Sequence, residues 1–323
     1  MHKVLCLQRM HPAGMQILES RPDINLIVPE STEPQYWEHH LADVEAIAVR
    51  MPRIERWMIE KAPKLKMISR HGVGVDNIAV NAATEHGIIV ATVGEANAPS
   101  VVEHTLAMMF SLAKRLTQFD RATRTGDFMI KNKLDAIDIA GRTILIIGLG
   151  RIGSRLAAVC NALGLRCIGI DPAYTPDQIR AMGCEPATNL HEVLPQADFV
   201  SPHCPLQDDT RDMIGARELA LMKPTAYVIN CARGGVVNEA ALLEALAGDK
   251  IKGAGFDVMV TEPPKLDDPL LQSDKIILTP HSAASTAEGL ARMASAVARN
   301  ITDYFDGKVP TSHVFNPEVL KSA

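Results

Sequence analysis

Short, continuous apolar runs recur along the chain, separated by stretches in which apolar residues return every three or four positions. In roughly the first hundred residues the runs are Val4–Leu7, Leu26–Val28, Ala46–Val49, Met67–Ser69 and Ile88–Ala91. Runs of this kind fit strands buried on both faces, and the helix-compatible spacers fit the crossovers of a parallel sheet. The rhythm resumes at Ile144–Ile147 and continues through Arg166–Ile170, Phe199–Ser201, Ala226–Asn230, Ala254–Phe256 and Ile276–Leu278. The chain therefore reads as α/β, with two doubly wound parallel-sheet domains.

Between the two sets, Ser100 is followed three residues later by Glu103, the spacing of a capping box, so a long helix is expected to start with Ser100 as its N-cap. Val102, Leu106, Met109, Ala113 and Leu116 form one apolar stripe, and Val101, Thr105, Met108 and Leu112 a second. Such a helix is buried on more than one side, at a domain or subunit junction or inside one domain. Near the end, Thr286–Ile301 is an Ala-rich helix candidate placed to run back to the first sheet. The expected layout is split: 1–98 with 288–323 form one domain, and 99–287 form the other, inserted in it.

Ile144–Ile147 runs directly into Gly148-Leu149-Gly150-Arg151-Ile152-Gly153, a G-x-G-x-x-G turn. Gly148 permits a tight turn, Gly150 lets backbone approach a pyrophosphate, and Gly153 lets the next helix pack close to the sheet. Helical periodicity follows at Ile152, Leu156, Val159 and Leu163 until Gly164, a C-terminal cap. The next strand ends at Asp171, 18 positions after Gly153. That is the place of the acidic residue that takes the adenosine ribose hydroxyls. A 2′-phosphate would be repelled there, and Pro172 follows rather than an arginine, so the expected cofactor is NAD. The plainer reading of Asp171 is a residue that ends a strand.

Composition adds boundaries to this picture. Of 323 residues, 47% are hydrophobic and 22% charged, as in an ordinary soluble globular chain. With 33 basic against 38 acidic residues and no block of like charge, nothing points to nucleic acid. The opening Met1–Cys6 enters a strand-like run too short for a signal-peptide core, and the longer apolar segments contain charges, so no membrane partner and a cytoplasmic location are expected. Cysteines 6, 160, 167, 184, 204 and 231 form no C-x-x-C pair and read as reduced packing residues, with no metal site.

In open α/β sheets, ligands bind beyond the carboxyl ends of the strands. Arg233, Glu262 and His281 each follow a strand of the second set. They supply what exchange between a 2-hydroxy and a 2-oxo acid requires: a planar donor fork for carboxylate and carbonyl, a proton carrier near neutral pH, and a carboxylate to orient it. Taken singly, Arg233 also reads as a surface ion-pair partner, Glu262 as a loop carboxylate before Pro263-Pro264, and His281 as a strand-end cap.

With these motifs the chain resembles the D-isomer-specific 2-hydroxyacid dehydrogenase family over nearly its whole length. The resemblance rests on Gly72–Asn77 (Gly-Val-Gly-Val-Asp-Asn), Asn97–Glu103 (Asn-x-x-Ser-Val-x-Glu), the glycine turn, His203–Leu206 (His-x-Pro-Leu), Asn230–Gly234 (Asn-x-x-Arg-Gly) and Pro280-His281, in family order. It implies a Rossmann cofactor domain inserted in a flavodoxin-like substrate domain, with Arg233, Glu262 and His281 as the catalytic trio. It places NAD against Gly148, Gly150, Arg151, Ile152, Gly153, Asp171, His203, Cys204, Pro205, Thr210, Cys231, Ala232, Arg233, Asp257 and His281, with Asp257 at the nicotinamide carboxamide. Substrate contacts fall to the amides of Gly72, Val73 and Gly74, and to Asn97, Arg233 and His281. A homodimer joined through the cofactor domains, a cleft that closes by hinge motion, and no metal are further implications. One departure is Asn238, where the family often has aspartate, which touches only a helix cap.

Substrate choice turns on the first domain. Arg50 and Arg70 follow strands there, and Lys131 precedes the glycine-loop strand. These positions resemble the basic residues that phosphoglycerate dehydrogenases use, which favours a substrate with a second anion, such as 3-phosphoglycerate or a sulfonated analogue. Solvated or structural arginines are the alternative, and then hydroxypyruvate or glyoxylate is the oxo substrate. His71 and Cys231 are further candidates to line the cleft. The end at Ala323 leaves no room for a regulatory domain of the kind that longer phosphoglycerate dehydrogenases carry. A reading from another class is an NAD-sensing binding protein like the C-terminal-binding-protein corepressors. Glu262 argues against a formate-dehydrogenase-like activity, whose branch carries glutamine there.

Overall fold

The first set of apolar runs forms one sheet and the second set another. A computed structural model describes residues 1–133, 135–308 and 311–321, which divide into two units, 1–97 with 285–323 and 98–284. Residues 309, 310, 322 and 323 of the expected segment 288–323 lie outside the described residues.

In the first unit, β1 (His2–Cys6), β2 (Ile24–Ile27), β3 (Ala46–Val49), β4 (Met67–Arg70) and β5 (Ile89–Ala91) pair in parallel in the order β2-β1-β3-β4-β5. This is the flavodoxin-like order. Leu5, Ile47, Ile68 and Val90 bury one face against Trp37, Leu41 and Met58. Elsewhere in the unit, the helix Pro12–Glu19 meets the helix Ala287–Phe305 so closely that a Cβ on Gly14 would overlap the Ala294 carbonyl. Thr286 caps the longer helix by accepting the Gly289 N–H at 2.9 Å. This helix runs to Phe305, beyond the expected Ile301, because Phe305 stacks on the His2 ring at 4.0 Å and docks the last turn on β1. Beyond it, Val314 bridges Ala91 antiparallel, and buried Asn316 accepts the Val90 N–H at 2.8 Å while donating to the Ile88 carbonyl at 2.9 Å.

The second unit holds β6 (Thr143–Ile147), β7 (Arg166–Ile170), β8 (Glu185–Pro186), β9 (Phe199–Pro202), β10 (Tyr227–Asn230), β11 (Gly253–Phe256) and β12 (Ile276–Leu278). All are parallel, in the order β12-β11-β10-β9-β6-β7-β8. Strand order reverses between β6 and β9, the switch point at which a Rossmann sheet opens a crevice. The two-residue β8 leaves no mark in the apolar pattern.

The helix between the sheets corrects the sequence reading. It spans Ala98–Ala113, so Ser100 is its third residue and not its N-cap. Pro99 stands in the first turn, where its missing N–H costs nothing. Both stripes are buried as far as Ala113 except for half-buried Leu106, with Met108 and Leu112 filling the space left open by Gly255 of β11. Arg115, at φ 55°, breaks the helix, and Leu116 opens a second one, Leu116–Arg124, in which it is 54% exposed and leaves the stripe.

Candidate active site

Gly148 turns at φ 92°, and a Cβ on it would press on the His203 carbonyl at 2.9 Å. A Cβ on Gly153 would overlap the Gly148 carbonyl, so the helix Gly153–Ala162 starts directly against the strand turn. At Gly150 the corresponding direction is open. Among the described residues the backbone N–H groups of Gly150 and Ile152 have no partner, which leaves unspent donors at a helix start. Asp171 closes the loop from the side: Oδ2 accepts the Leu149 N–H at 2.7 Å and Oδ1 the Ala173 N–H at 2.9 Å. Open space, unpaired donors and a carboxylate at the end of β7 together fit a dinucleotide. Gly150, Ile152 and Gly153 would hold its pyrophosphate, and Asp171 its ribose.

The segment after β9 borders the same turn. His203 Nε2 lies 2.9 Å from Ser201 Oγ, and burial lowers its pKa to about 4, so the ring is neutral. Thr210 Oγ1 donates to the Pro205 carbonyl at 2.7 Å and accepts the Gln207 N–H at 2.8 Å, which fixes the loop that also carries Cys204. Arg151, next to Gly150, is exposed. Cys231 is buried, and burial pushes its thiol up to about 12, a packing group 3.9 Å from Met108 Sδ.

Arg233, Glu262 and His281 come together beyond β10, β11 and β12. Asn230, fully buried, folds the arginine turn: its Oδ1 accepts the Ala232 N–H at 3.0 Å and its Nδ2 donates to the Arg233 carbonyl at 2.9 Å. Gly234 presses this turn onto Met259, where a Cβ would overlap the Met259 carbonyl. The Met259 N–H in turn donates to Glu262 Oε1 at 2.9 Å, while Glu262 Oε2 accepts from His281 Nδ1 at 2.7 Å. Burial alone would raise the Glu262 carboxyl. The hydrogen bonds from His281 and the Met259 amide, with the charges of His281 and Arg233, outweigh it and hold the group below its ordinary value. His281 sits at φ 51°, a left-handed backbone fixed by its N–H to the carbonyls of Asp257 (2.8 Å) and Thr279 (3.0 Å). Nδ1 is taken by Glu262, so Nε2 is the nitrogen left for a reacting group.

Asp257 is 1% exposed, with Oδ1 accepting from Thr279 Oγ1 (2.6 Å) and the Ser282 N–H (2.8 Å), and Oδ2 from the Ala283 N–H (2.9 Å). Asn238 caps the helix Glu239–Ala247 by accepting the Ala241 N–H at 2.9 Å. Lys131 is exposed and lies 4.6 Å over the Phe128 ring.

The first unit gathers Arg50, Arg70, Gly72, Val73, Gly74 and Asn97 beyond the carboxyl ends of β3, β4 and β5. Among the described residues the Val73 and Gly74 N–H groups have no partner. Arg70 braces this loop: Nη1 donates to the His71 carbonyl, Nε donates to Asn77 Oδ1 at 3.2 Å, and Gly72 leaves room for the guanidinium. The Arg50 side chain makes no hydrogen bond or ion pair among the described residues. His71 is buried, and burial first, then the charge of Arg50, lowers its pKa to about 4. Asn97 is buried, and its Oδ1 has no hydrogen-bond partner among the described residues.

Sequence reasoning passed over Asn230, Thr279 and His104, which hydrogen-bond to the Arg233 turn, to Asp257 and to Thr279 respectively. Asn230 lies inside a motif but carries no charge, Thr279 stands just before Pro280-His281, and His104 reads as one polar position on an apolar helix. Among the described residues no group of three His, Cys, Asp or Glu could hold a metal, and no helix is long and apolar enough to cross a membrane.

Residues 106–283 match the family described as D-isomer specific 2-hydroxyacid dehydrogenase, NAD binding domain. The chain is 38% identical over 320 residues to the D-3-phosphoglycerate dehydrogenase of Methanocaldococcus jannaschii, covering 99% of this chain and 60% of that relative. It thus spans about three-fifths of the length of that curated protein. It is 36% identical over 271 residues to the glyoxylate reductase of Korarchaeum cryptofilum, covering 83% of this chain and 81% of that one. A crystal structure of a Pyrococcus horikoshii protein superposes with a TM-score of 0.84 at 26% identity, covering 100% of this chain and 97% of the other.

Proposed function

The chain belongs to the D-isomer specific 2-hydroxyacid dehydrogenase family, and on that premise we propose that it is an oxidoreductase of D-2-hydroxy acids that carry a second anion. The observation that carries this reading is the 2.7 Å pair of His281 Nδ1 and Glu262 Oε2 beside Arg233, at the strand ends of the sheet that holds the glycine turn. Its cofactor is NAD, which supplies or takes up the hydride when bound. Asp171 supports NAD over its 2′-phosphorylated form, since the carboxylate already turned to the glycine loop would repel a phosphate.

In the reducing direction His281 gives its Nε2 proton to the forming alkoxide. Glu262 stabilises the imidazolium before the transfer, and Arg233 stabilises the developing oxyanion. In the oxidising direction neutral His281 takes the hydroxyl proton. General acid–base help of this kind is worth roughly 100- to 10,000-fold, so removing His281 lowers turnover far more than substrate affinity. The unpaired Val73 and Gly74 amides take the substrate carboxylate, and the second anion falls to Arg50, whose side chain makes no hydrogen bond or ion pair among the described residues. Arg70 is spent mainly on holding the loop. The substrate domain is 1–98 with 288–323, and 99–287 is the cofactor domain.

We take 3-phosphoglycerate-like acids as the substrate class, with hydroxypyruvate or glyoxylate as the second reading, which the likeness to a glyoxylate reductase over 81% of its length favours. A homodimer is the expected assembly. The helix Leu116–Arg124 has no buried residue, and Phe128 and Met129 after it are 66% and 57% exposed.

The test is initial rates with NADH against 3-phosphohydroxypyruvate, hydroxypyruvate and glyoxylate for the wild type, Arg50→Ala and Arg70→Ala. Preference for the phosphorylated acid that Arg50→Ala abolishes supports the anion pocket, with Arg70→Ala impairing all three acids. Preference for the unphosphorylated acids, unchanged in Arg50→Ala, makes the enzyme a small-oxoacid reductase. NADH binding without turnover on any acid favours a sensor.

A further inference from the structure

We propose that His104 and Thr279 act with Asp257 as a clamp that sets the backbone and ring of His281, and that both are positioning residues for proton transfer. The proposal rests on the reading of His281 as the acid–base group. Neither residue touches the Glu262 carboxylate, the arginine turn or the glycine loop through any hydrogen bond described above, so the mechanism leaves them without a role.

His281 occupies the left-handed region at φ 51°, which a side chain other than glycine keeps only where the surroundings over-determine it. Three consecutive amides supply that constraint. The His281 N–H reaches the Asp257 carbonyl at 2.8 Å, and the Ser282 and Ala283 N–H groups reach the Asp257 carboxylate at 2.8 and 2.9 Å. Two of the three amides therefore depend on one buried carboxylate, which must itself be held in place.

Thr279 holds it. Its hydroxyl lies 2.6 Å from Asp257 Oδ1, and an ionised carboxylate only accepts, so the hydroxyl proton points there. The hydroxyl oxygen is left as an acceptor for His104 Nε2 at 2.9 Å, which assigns the Nε2–H form to His104. Donation then runs in one direction, from His104 on the helix Ala98–Ala113 through Thr279 to Asp257, whose oxygens collect the amides beyond His281. Glu262 fixes the ring from the opposite side through Nδ1. With the clamp intact, backbone and ring are both set; without the Thr279 hydroxyl, the carboxylate that collects the Ser282 and Ala283 amides loses its side-chain anchor.

The experiment compares the wild type, Thr279→Val, Thr279→Ser and His104→Phe as full chains. It measures kcat and KM on the best 2-oxo acid, NADH affinity by fluorescence, melting temperature, and the His281 ring signals in spectra of histidine-labelled protein, assigned with His281→Asn. Thr279→Val is expected to lower kcat roughly 10- to 100-fold, the loss that a misplaced group brings, with NADH affinity held and the His281 signals displaced. Thr279→Ser restores both, because it returns the hydroxyl, and His104→Phe falls between. Wild-type kcat in Thr279→Val, or Thr279→Ser as impaired as Thr279→Val, overturns the clamp. Should Thr279→Val fail to fold, His104→Phe decides from the other end: unmoved His281 signals overturn the clamp. A wild type inactive on every acid refutes the dehydrogenase reading instead, and the His281 signals in Thr279→Val still decide the clamp.

Discussion

Replacing Glu262 by Gln tests whether its charge, and not only its shape, serves His281. Gln keeps one oxygen, which can accept the His281 Nδ1–H now 2.7 Å from Oε2, while its NH2 replaces the Oε1 that accepts the Met259 N–H at 2.9 Å and the charge is lost. A hydrogen bond to a charged group contributes about 1.5–3 kcal/mol. The His281 and Glu262 side chains are 51% and 35% exposed, so solvent screening takes the effect to the lower end, about 1.5 kcal/mol. About 1.4 kcal/mol is a factor of ten in rate. Reduction draws on the His281 proton that the Glu262 charge stabilises, so its kcat/KM, followed by NADH absorbance, is expected to fall about tenfold with NADH affinity retained. Wild-type kcat/KM in the variant refutes the charge argument, and a loss confined to NADH affinity refutes the pairing of Glu262 with His281.

Asp171→Asn keeps an acceptor for the glycine loop but removes the charge facing a 2′-phosphate. Even at the dielectric of water one such repulsion is about 1 kcal/mol at contact, so the ratio of NADPH to NADH efficiency is expected to rise about fivefold or more; an unchanged ratio counts against the ribose assignment. Asn230→Leu leaves the buried Ala232 N–H unpaired, at a cost of about 1–3 kcal/mol, and loosens the Arg233 turn. A lower melting temperature with a fall in kcat is expected, and full activity excludes Asn230 from holding Arg233. Burial lowers His71 and His203 from 6.5 to about 4. The unfolded rings take up protons below about pH 6.5 that the folded ones refuse until about pH 4, so stability falls across that window and levels below it. For His71 the effect amounts to about 3 kcal/mol. Urea midpoints at neutral pH and near about pH 5 check it: His71→Gln should flatten the decline, and an unaltered decline contradicts it.

The elements legible in the sequence are those whose burial repeats with a period. The runs of β3, β6 and β10 are buried along their whole length, so apolar continuity alone marks them. Where the determinant is one side chain's tertiary contact, the pattern is silent. The final turn to Phe305 depends on stacking against His2, and the segment that joins β5 depends on Asn316. At Ser100 two local signals compete, and Pro99 in the first turn prevails over the capping-box spacing. The site divides in the same way. Arg233, Glu262 and His281 stand out because their chemistry is scarce and each follows a strand. Asn230 holds a local turn through an uncharged side chain, and Thr279 and His104 hydrogen-bond partners distant in sequence, so no spacing announces them.

Proton transfer by His281, oriented by Glu262, with NAD held by the glycine-loop unit, is tested by the single-turnover rate of NADH oxidation at saturating 2-oxo acid in the wild type and His281→Asn, with NADH affinity measured on both. A loss of roughly 100-fold or more in rate is expected, with NADH affinity retained. A His281→Asn enzyme that oxidises NADH at the wild-type rate would contradict it.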